Sequence, residues 1–135
     1  YNPADAITYL YYTTINGMVD KALWGEAEDY KIDSTLLKLY KTRNFGSYTN
    51  DKGELPIAFI STAHTTGGNS GSPVFNGKGE LIGLNYDRVW EGTMSDFNFD
   101  DSRCRNIVLD IRYMLFIIDK YANAQRILNE IKIVQ

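Results

Sequence analysis

The sequence predicts a mainly β domain with α elements, closing in short helices. Two observations carry this. Apolar runs of a few residues, "PIAFIST", "SPVFN", "ELIGLNYDRVW" and "RNIVLDI", are separated by turns rich in Gly, Asn and Asp, the pattern of short strands. Beyond Asp110 the apolar residues change to helical spacing, with Ile111, Met114, Leu115, Ile118 and Tyr121 on one side.

Taken in order, "AITYLYYTTINGM" from Ala6 to Met18 is rich in Tyr, Thr and Ile and holds Asn16-Gly17. It reads as a strand entering a hairpin. In "DSTLLKLYKTRNFG", Asp33 or Ser34 can cap a short helix with Leu36, Leu37 and Tyr40 on one face, ended by Gly46. "SYTNDKGELP" is a loop. "PIAFIST" is a buried strand leading to a glycine loop, after which "SPVFN", the turn "GKG" and "ELIGLNYDRVW" form a hairpin. Residues 91–104 are irregular and polar, "RNIVLDI" is a short strand, and Asp110 caps the helix that follows. A last amphipathic turn carries Ile127, Leu128 and Ile131. No internal repeat or low-complexity linker divides the 135 residues.

Composition narrows the function. With 44% hydrophobic and 13% aromatic residues, the chain can bury a real core. A net charge of −3, with Lys and Arg scattered, leaves no footprint for a phosphate backbone and argues against nucleic acid. The longest apolar run, "YMLFII" at residues 113–118, falls far short of the ~18 residues of a membrane span. Cys104 is the only cysteine, so an intrachain disulfide is ruled out, and a buried or idle thiol is expected. The first residue is Tyr1 and no leader follows it, which reads as a processed or truncated piece.

The stretch "TTGGNSGSPVFNGKGELIGLNYDR" from Thr65 to Arg88 carries the chemistry. Gly77-Lys78 lacks the spacing of a phosphate-cradling loop, and Gly77, Gly79 and Gly83 are one residue too widely spaced for a dinucleotide fingerprint. Ser72 stands where an α/β-hydrolase elbow requires glycine. What remains is Gly-Asn-Ser-Gly between two strands, which suits a serine nucleophile at Ser70 with the Gly68 and Ser70 amides as an oxyanion hole. A tight β-turn without chemistry is the other reading of the same residues.

"TTGGNSGSPVFN", followed by "GELIGL", resembles the nucleophile loop and pocket-wall strand of chymotrypsin-fold serine peptidases of the glutamyl-endopeptidase type. The resemblance implies Ser70 as nucleophile and the Gly68 and Ser70 amides as the oxyanion hole. Over nearly the whole chain, "YYTTINGMVDK", the segment from "ELPIAFIST" to "DFNFD", and "RNIVLDIRYMLFIIDKYANAQRILNEI" resemble the C-terminal part of the bacterial dipeptidyl peptidase 7 and 11 family. That family implies a chymotrypsin-like double barrel with an inserted helical domain, and release of dipeptides from free N-termini. On this reading residues 1–135 are the second barrel and the closing helices, and the catalytic His and Asp lie outside them, so the chain alone is inactive. His64 is the only histidine; it falls near the base of the P1 pocket rather than at the general base, as a loop histidine with a structural hydrogen bond or as a pocket-lining group.

Strand alternation after the hairpin puts Tyr86 and Arg88 on one side and Asp87 on the other. A guanidinium on a pocket wall suits a carboxylate, which argues for Asp or Glu at P1. In the family, arginine at the position of Arg88 marks the branch resembling dipeptidyl peptidase 11, with acidic P1, while the branch resembling dipeptidyl peptidase 7 carries glycine there. Asp87 matches the position that holds the substrate's α-amino group, Tyr86 stands where phenylalanine is usual, and Thr65 aligns with a pocket threonine. A surface Arg88 paired with Asp87 or Glu91 is the plainer alternative. Glutamyl endopeptidases read P1 through a histidine aligning with Asn85, which disfavours that type, and a non-catalytic peptide-binding or assembly module is the other alternative. "DFNFDD" begins like a calcium loop but lacks its glycine and final glutamate. No cofactor or metal is expected. The family further implies periplasmic or cell-surface location in Gram-negative bacteria and a homodimer of the full enzyme, and the isolated chain is expected to associate or to hold a partner fragment.

Overall fold

Strands β1 (Tyr12–Thr14), β2 (Pro56–Ser61), β3 (Pro73–Phe75), β4 (Leu81–Arg88) and β5 (Asn106–Asp110) form one antiparallel sheet in the order β1-β2-β5-β4-β3. They lie in a computed structural model that describes residues 6–25 and 28–134. The helices are α1 (Ile15–Trp24), α2 (Ser34–Lys41), α3 (Ile111–Phe116) and α4 (Gln125–Asn129). α3 runs directly into a π-helical turn at Ile117–Tyr121, and 3-10 turns occupy Glu28–Tyr30 and Trp90–Asp96.

The hairpin expected at Asn16-Gly17 is not formed. Only Tyr12–Thr14 is strand, and both residues of the pair lie within α1. Asn-Gly makes a hairpin when strand partners flank it, whereas here the following residues take a helical period. Ile15 and Val19, one turn apart, are buried at 0% and 4% exposure, and the Ile15 amide donates to Leu55 O at 2.9 Å. Tertiary burial outweighs the local turn signal.

At the second helix the expected cap is present. Asp33 accepts from the Thr35 and Leu36 amides at 2.8 and 3.3 Å, two of the donors a helix start leaves free. The end differs from expectation: α2 stops at Lys41, where the Thr42 hydroxyl donates to Lys38 O at 3.0 Å. Gly46, with φ +61°, belongs to the turn beyond. Asp110 likewise caps α3, accepting from the Arg112 amide at 2.9 Å and pairing with its guanidinium.

The core gathers Ile15, Val19, Phe45, Tyr48, Leu55, Leu115 and Phe116 where α1 and α3 meet the loop before β2. Phe45 and Phe116 meet edge to face at 6.0 Å, a favoured aromatic geometry. With the core on the helical side, β4 and β5 are free to carry polar residues inward: Asn85, Asn106 and Asp110 are all buried. Large apolar groups stand exposed elsewhere, among them Leu10, Tyr11, Leu23, Trp24 and Trp90.

Candidate active site

The glycine loop between β2 and β3 is two consecutive tight turns. The Asn69 amide donates to Thr66 O at 3.2 Å and the Ser72 amide to Asn69 O at 3.1 Å. The third residue of each turn, Gly68 with φ +98° and Gly71 with φ +83°, lies in the left-handed region, which glycine enters without steric cost. Asn69 locks the first turn, its Oδ1 accepting from the Thr66 amide at 2.8 Å, and its carbonyl takes the Ser72 hydroxyl at 2.7 Å.

β4 anchors the loop through Asn85. The Gly71 amide donates to Asn85 O at 2.7 Å, the Asn85 amide to Ser72 O at 2.9 Å, and Asn85 Nδ2 to Asn69 O at 3.1 Å. Beneath it Asn106 Nδ2 donates to Asn85 Oδ1 at 2.9 Å, and Ser61 Oγ to Asn106 Oδ1 at 2.5 Å. A line of polar side chains thus crosses β2, β5 and β4 to reach the loop. The amides of Asn69, Gly71 and Ser72 are spent within the chain. Those of Gly68 and Ser70 have no internal partner among the described residues. The Ser70 hydroxyl donates to Tyr86 O at 3.3 Å.

Strict alternation fails beside Ser70. Asn85 pairs with Val108 and Asp87 with Ile107, so Tyr86 is an extra residue in a bulge. The bulge shifts the parity of everything after it: Arg88 pairs with Asn106 and so shares a face with Asn85, Asp87 takes the opposite face, and Tyr86 drops out of the alternation. Tyr86 and Asp87 are exposed. Burial of part of its ring, then the nearby Asp87, raises the Tyr86 phenol above its ordinary value.

Arg88 pairs with neither Asp87 nor Glu91 through its side chain. Its Nη1 and Nη2 donate to Asp96 Oδ1 and Oδ2 at 3.0 and 2.8 Å, and Nη1 also donates to Ser95 Oγ at 2.6 Å. The hydrogen bond from Arg88 holds the Asp96 carboxyl below the usual carboxylate range. Arg88, Thr65 and His64 line one narrow cleft with Ser95, Gly92 and Phe99. His64 lines the cleft, its ring tilted at 41° against Phe99 with 4.6 Å between ring centres. Cys104 is a buried part of the cleft's lining, its Sγ accepting the Asp100 amide at 3.4 Å.

Asn106, Ser95 and Asp96 border this region and were missed by sequence reasoning, which weighed Asn85 only as the position of a P1-reading histidine in glutamyl endopeptidases. Asn106 gives no signal because cross-strand register is not readable from spacing, and Asp96 stands out in the sequence only as the start of a run that begins like a calcium loop.

The loop, the bulged strand and the guanidinium-lined cleft lie in a chain of a known peptidase family. The chain matches the peptidase S46 family over residues 1–133 and belongs to it. Within that family, an Asp/Glu-specific dipeptidyl-peptidase of Capnocytophaga gingivalis is 50% identical over 135 residues, covering 100% of this chain and 19% of the relative. A dipeptidyl-peptidase 7 of Phocaeicola vulgatus is 44% identical over 135 residues, with the same coverage of 100% and 19%. The crystal structure of Porphyromonas endodontalis DPP11 in complex with dipeptide Arg-Asp superposes with a TM-score of 0.92 at 48% identity, covering 98% of this chain and 19% of that one. The sheet with its short helices is therefore the fold of that part of DPP11, and the chain spans 19% of the length of these relatives.

Proposed function

We propose that this chain is part of a serine exopeptidase that releases N-terminal dipeptides with Asp or Glu at P1. The observation that carries the reading is the coupling of Ser70 to Arg88. The hydroxyl sits on the Tyr86 carbonyl, two residues before a guanidinium that lines the adjoining cleft with Thr65. In this reading Ser70 Oγ attacks the P1 carbonyl carbon while a base takes its proton, and the Gly68 and Ser70 amides receive the developing oxyanion. The amine leaves protonated, and water then hydrolyses the acyl-enzyme. The base comes from residues outside these 135, since the lone histidine, His64, lies against Phe99 in the lining of the cleft.

Arg88 reads the P1 carboxylate, Asp87 holds the substrate's α-ammonium, and Thr65 and Tyr86 shape the site. Asn85 supports this over a glutamyl-endopeptidase reading. Its side chain is 4% exposed and both ends are spent on Asn69 and Asn106, leaving nothing to meet a substrate. The exposed Leu10, Tyr11 and Trp24 fit cover by the remainder of a longer polypeptide.

The test is hydrolysis of Leu-Asp and Leu-Leu fluorogenic dipeptidyl substrates by the full-length polypeptide. Ser70→Ala is expected to abolish both, and Arg88→Gly to lose Leu-Asp far more than Leu-Leu. No cleavage of either substrate by the unmodified enzyme would favour a non-catalytic peptide-binding module.

A further inference from the structure

A guanidinium offers five N–H donors and two flat edges, each able to grip a carboxylate through two parallel bonds. In Arg88 the end-on edge is already taken. Nη1 and Nη2 hold the two oxygens of Asp96, and Ser95 Oγ takes the other Nη1 hydrogen at 2.6 Å. The side-on edge, made of Nε and the outer Nη2 hydrogen, has no partner among the described residues.

Asp96 itself is exposed, and the buried support comes from its neighbour. Ser95 is 5% exposed, and it and Asp96 lie on the 3-10 turn Trp90–Asp96, which is itself tied to the strand by the Gly92 amide donating to Val89 O at 2.9 Å. Arg105 also borders the cleft, but its Nη1 is spent on the Asp101 and Cys104 carbonyls at 2.6 and 2.7 Å. The Nε and Nη2 edge of Arg105 is likewise without a partner among the described residues, so what sets Arg88 apart is the carboxylate that holds it.

We propose that Asp96, assisted by Ser95, is a positioning residue that fixes the Arg88 guanidinium by its end-on edge and turns the side-on edge toward an acidic P1 side chain. The proposal rests on the reading of Arg88 given above. An unsupported arginine must be ordered by each substrate that binds it, and that ordering subtracts from affinity. Asp96 does the ordering in advance. The Arg88–Asp96 pair is neutral in sum, so Arg88 itself selects an acid by fork geometry more than by net charge.

The test is kcat and KM for Leu-Asp and Leu-Leu substrates with the full-length enzyme and its Asp96→Ala, Asp96→Asn, Ser95→Ala and Arg88→Gly variants. Loss of a charge-assisted pair predicts that Asp96→Ala lowers the Leu-Asp to Leu-Leu ratio of kcat/KM about tenfold, chiefly through KM for Leu-Asp. Asp96→Asn, which keeps one acceptor, is expected to fall between Asp96→Ala and the unmodified enzyme, and Ser95→Ala to act in the same direction more weakly. A ratio that rises in Asp96→Ala would make Asp96 a competitor for Arg88 and overturn the proposal. A fall that is equal for both substrates would make its role merely structural and overturn it too. If Arg88→Gly itself leaves the ratio unchanged, the reading of Arg88 fails, and the positioning role fails with it.

Discussion

Asn106 on β5 donates its side-chain amide to Asn85 on β4 at 2.9 Å, with both side chains closed to solvent at 1% and 4% exposure. Through Asn85 the contact reaches Asn69 O at 3.1 Å, so the loop that carries Ser70 is held from below by buried polar groups. Such groups are costly to orphan. Asn106→Ala leaves Asn85 Oδ1 and the Ser61 hydroxyl without their partner, and is expected to cost about 1–3 kcal/mol. Denaturant unfolding of the full-length polypeptide checks this; an unshifted midpoint would show that Asn106 does not hold the loop.

Gly68 separates backbone geometry from packing. A Cβ there meets nothing within 4 Å, yet its φ is +98°. Neighbouring Gly67 is equally open without a positive φ. Gly68→Ala is therefore expected to turn the amide away from the oxyanion and lower kcat by about 10²-fold, the scale of losing one such donor. Gly67→Ala is expected to change kcat little. Equal effects of the two substitutions would contradict an oxyanion role for the Gly68 amide.

Asp119, on the π-helical turn after α3, bonds to Tyr48 and sets an acid-side dependence. Burial works to raise its carboxyl, but hydrogen bonds from Lys120, Gln125 and Tyr48 outweigh burial and hold it below its ordinary value. A carboxyl depressed in the folded state stabilises above its unfolded pKa, about 3.9 for Asp, and loses that contribution as pH falls through the folded value. Asp119→Asn is expected to be less stable than the unmodified protein near neutral pH, with the gap closing below about pH 4. Urea midpoints across that range would show it; a gap constant with pH would exclude the carboxylate as the cause.

Signals that are local to the chain were legible. Asp33 and Asp110 cap α2 and α3 because a cap acts within two or three residues, and the runs at Pro56–Ser61 and Asn106–Asp110 are the strands they look like. Thr65 and Arg88, far apart in sequence, line one cleft. What escaped depends on distant parts of the chain. Asn16-Gly17 looks like a hairpin turn until Ile15 and Val19 find the core. The extra residue at Tyr86 shows only in the pairing of β4 with β5, and it is this bulge that carries Arg88 to the face of Asn85. Asp96 reaches Arg88 through a 3-10 turn that no periodicity announces.

In the proposed function Ser70 is the nucleophile of an acid-reading site. The measurement that tests it is covalent trapping of the full-length enzyme with a Leu-Asp diphenyl phosphonate, located by peptide mass mapping. The expected result is a single adduct on Ser70, formed much more slowly in Arg88→Gly and absent in Ser70→Ala. An adduct on another residue, or none on an enzyme that cleaves Leu-Asp, would contradict it.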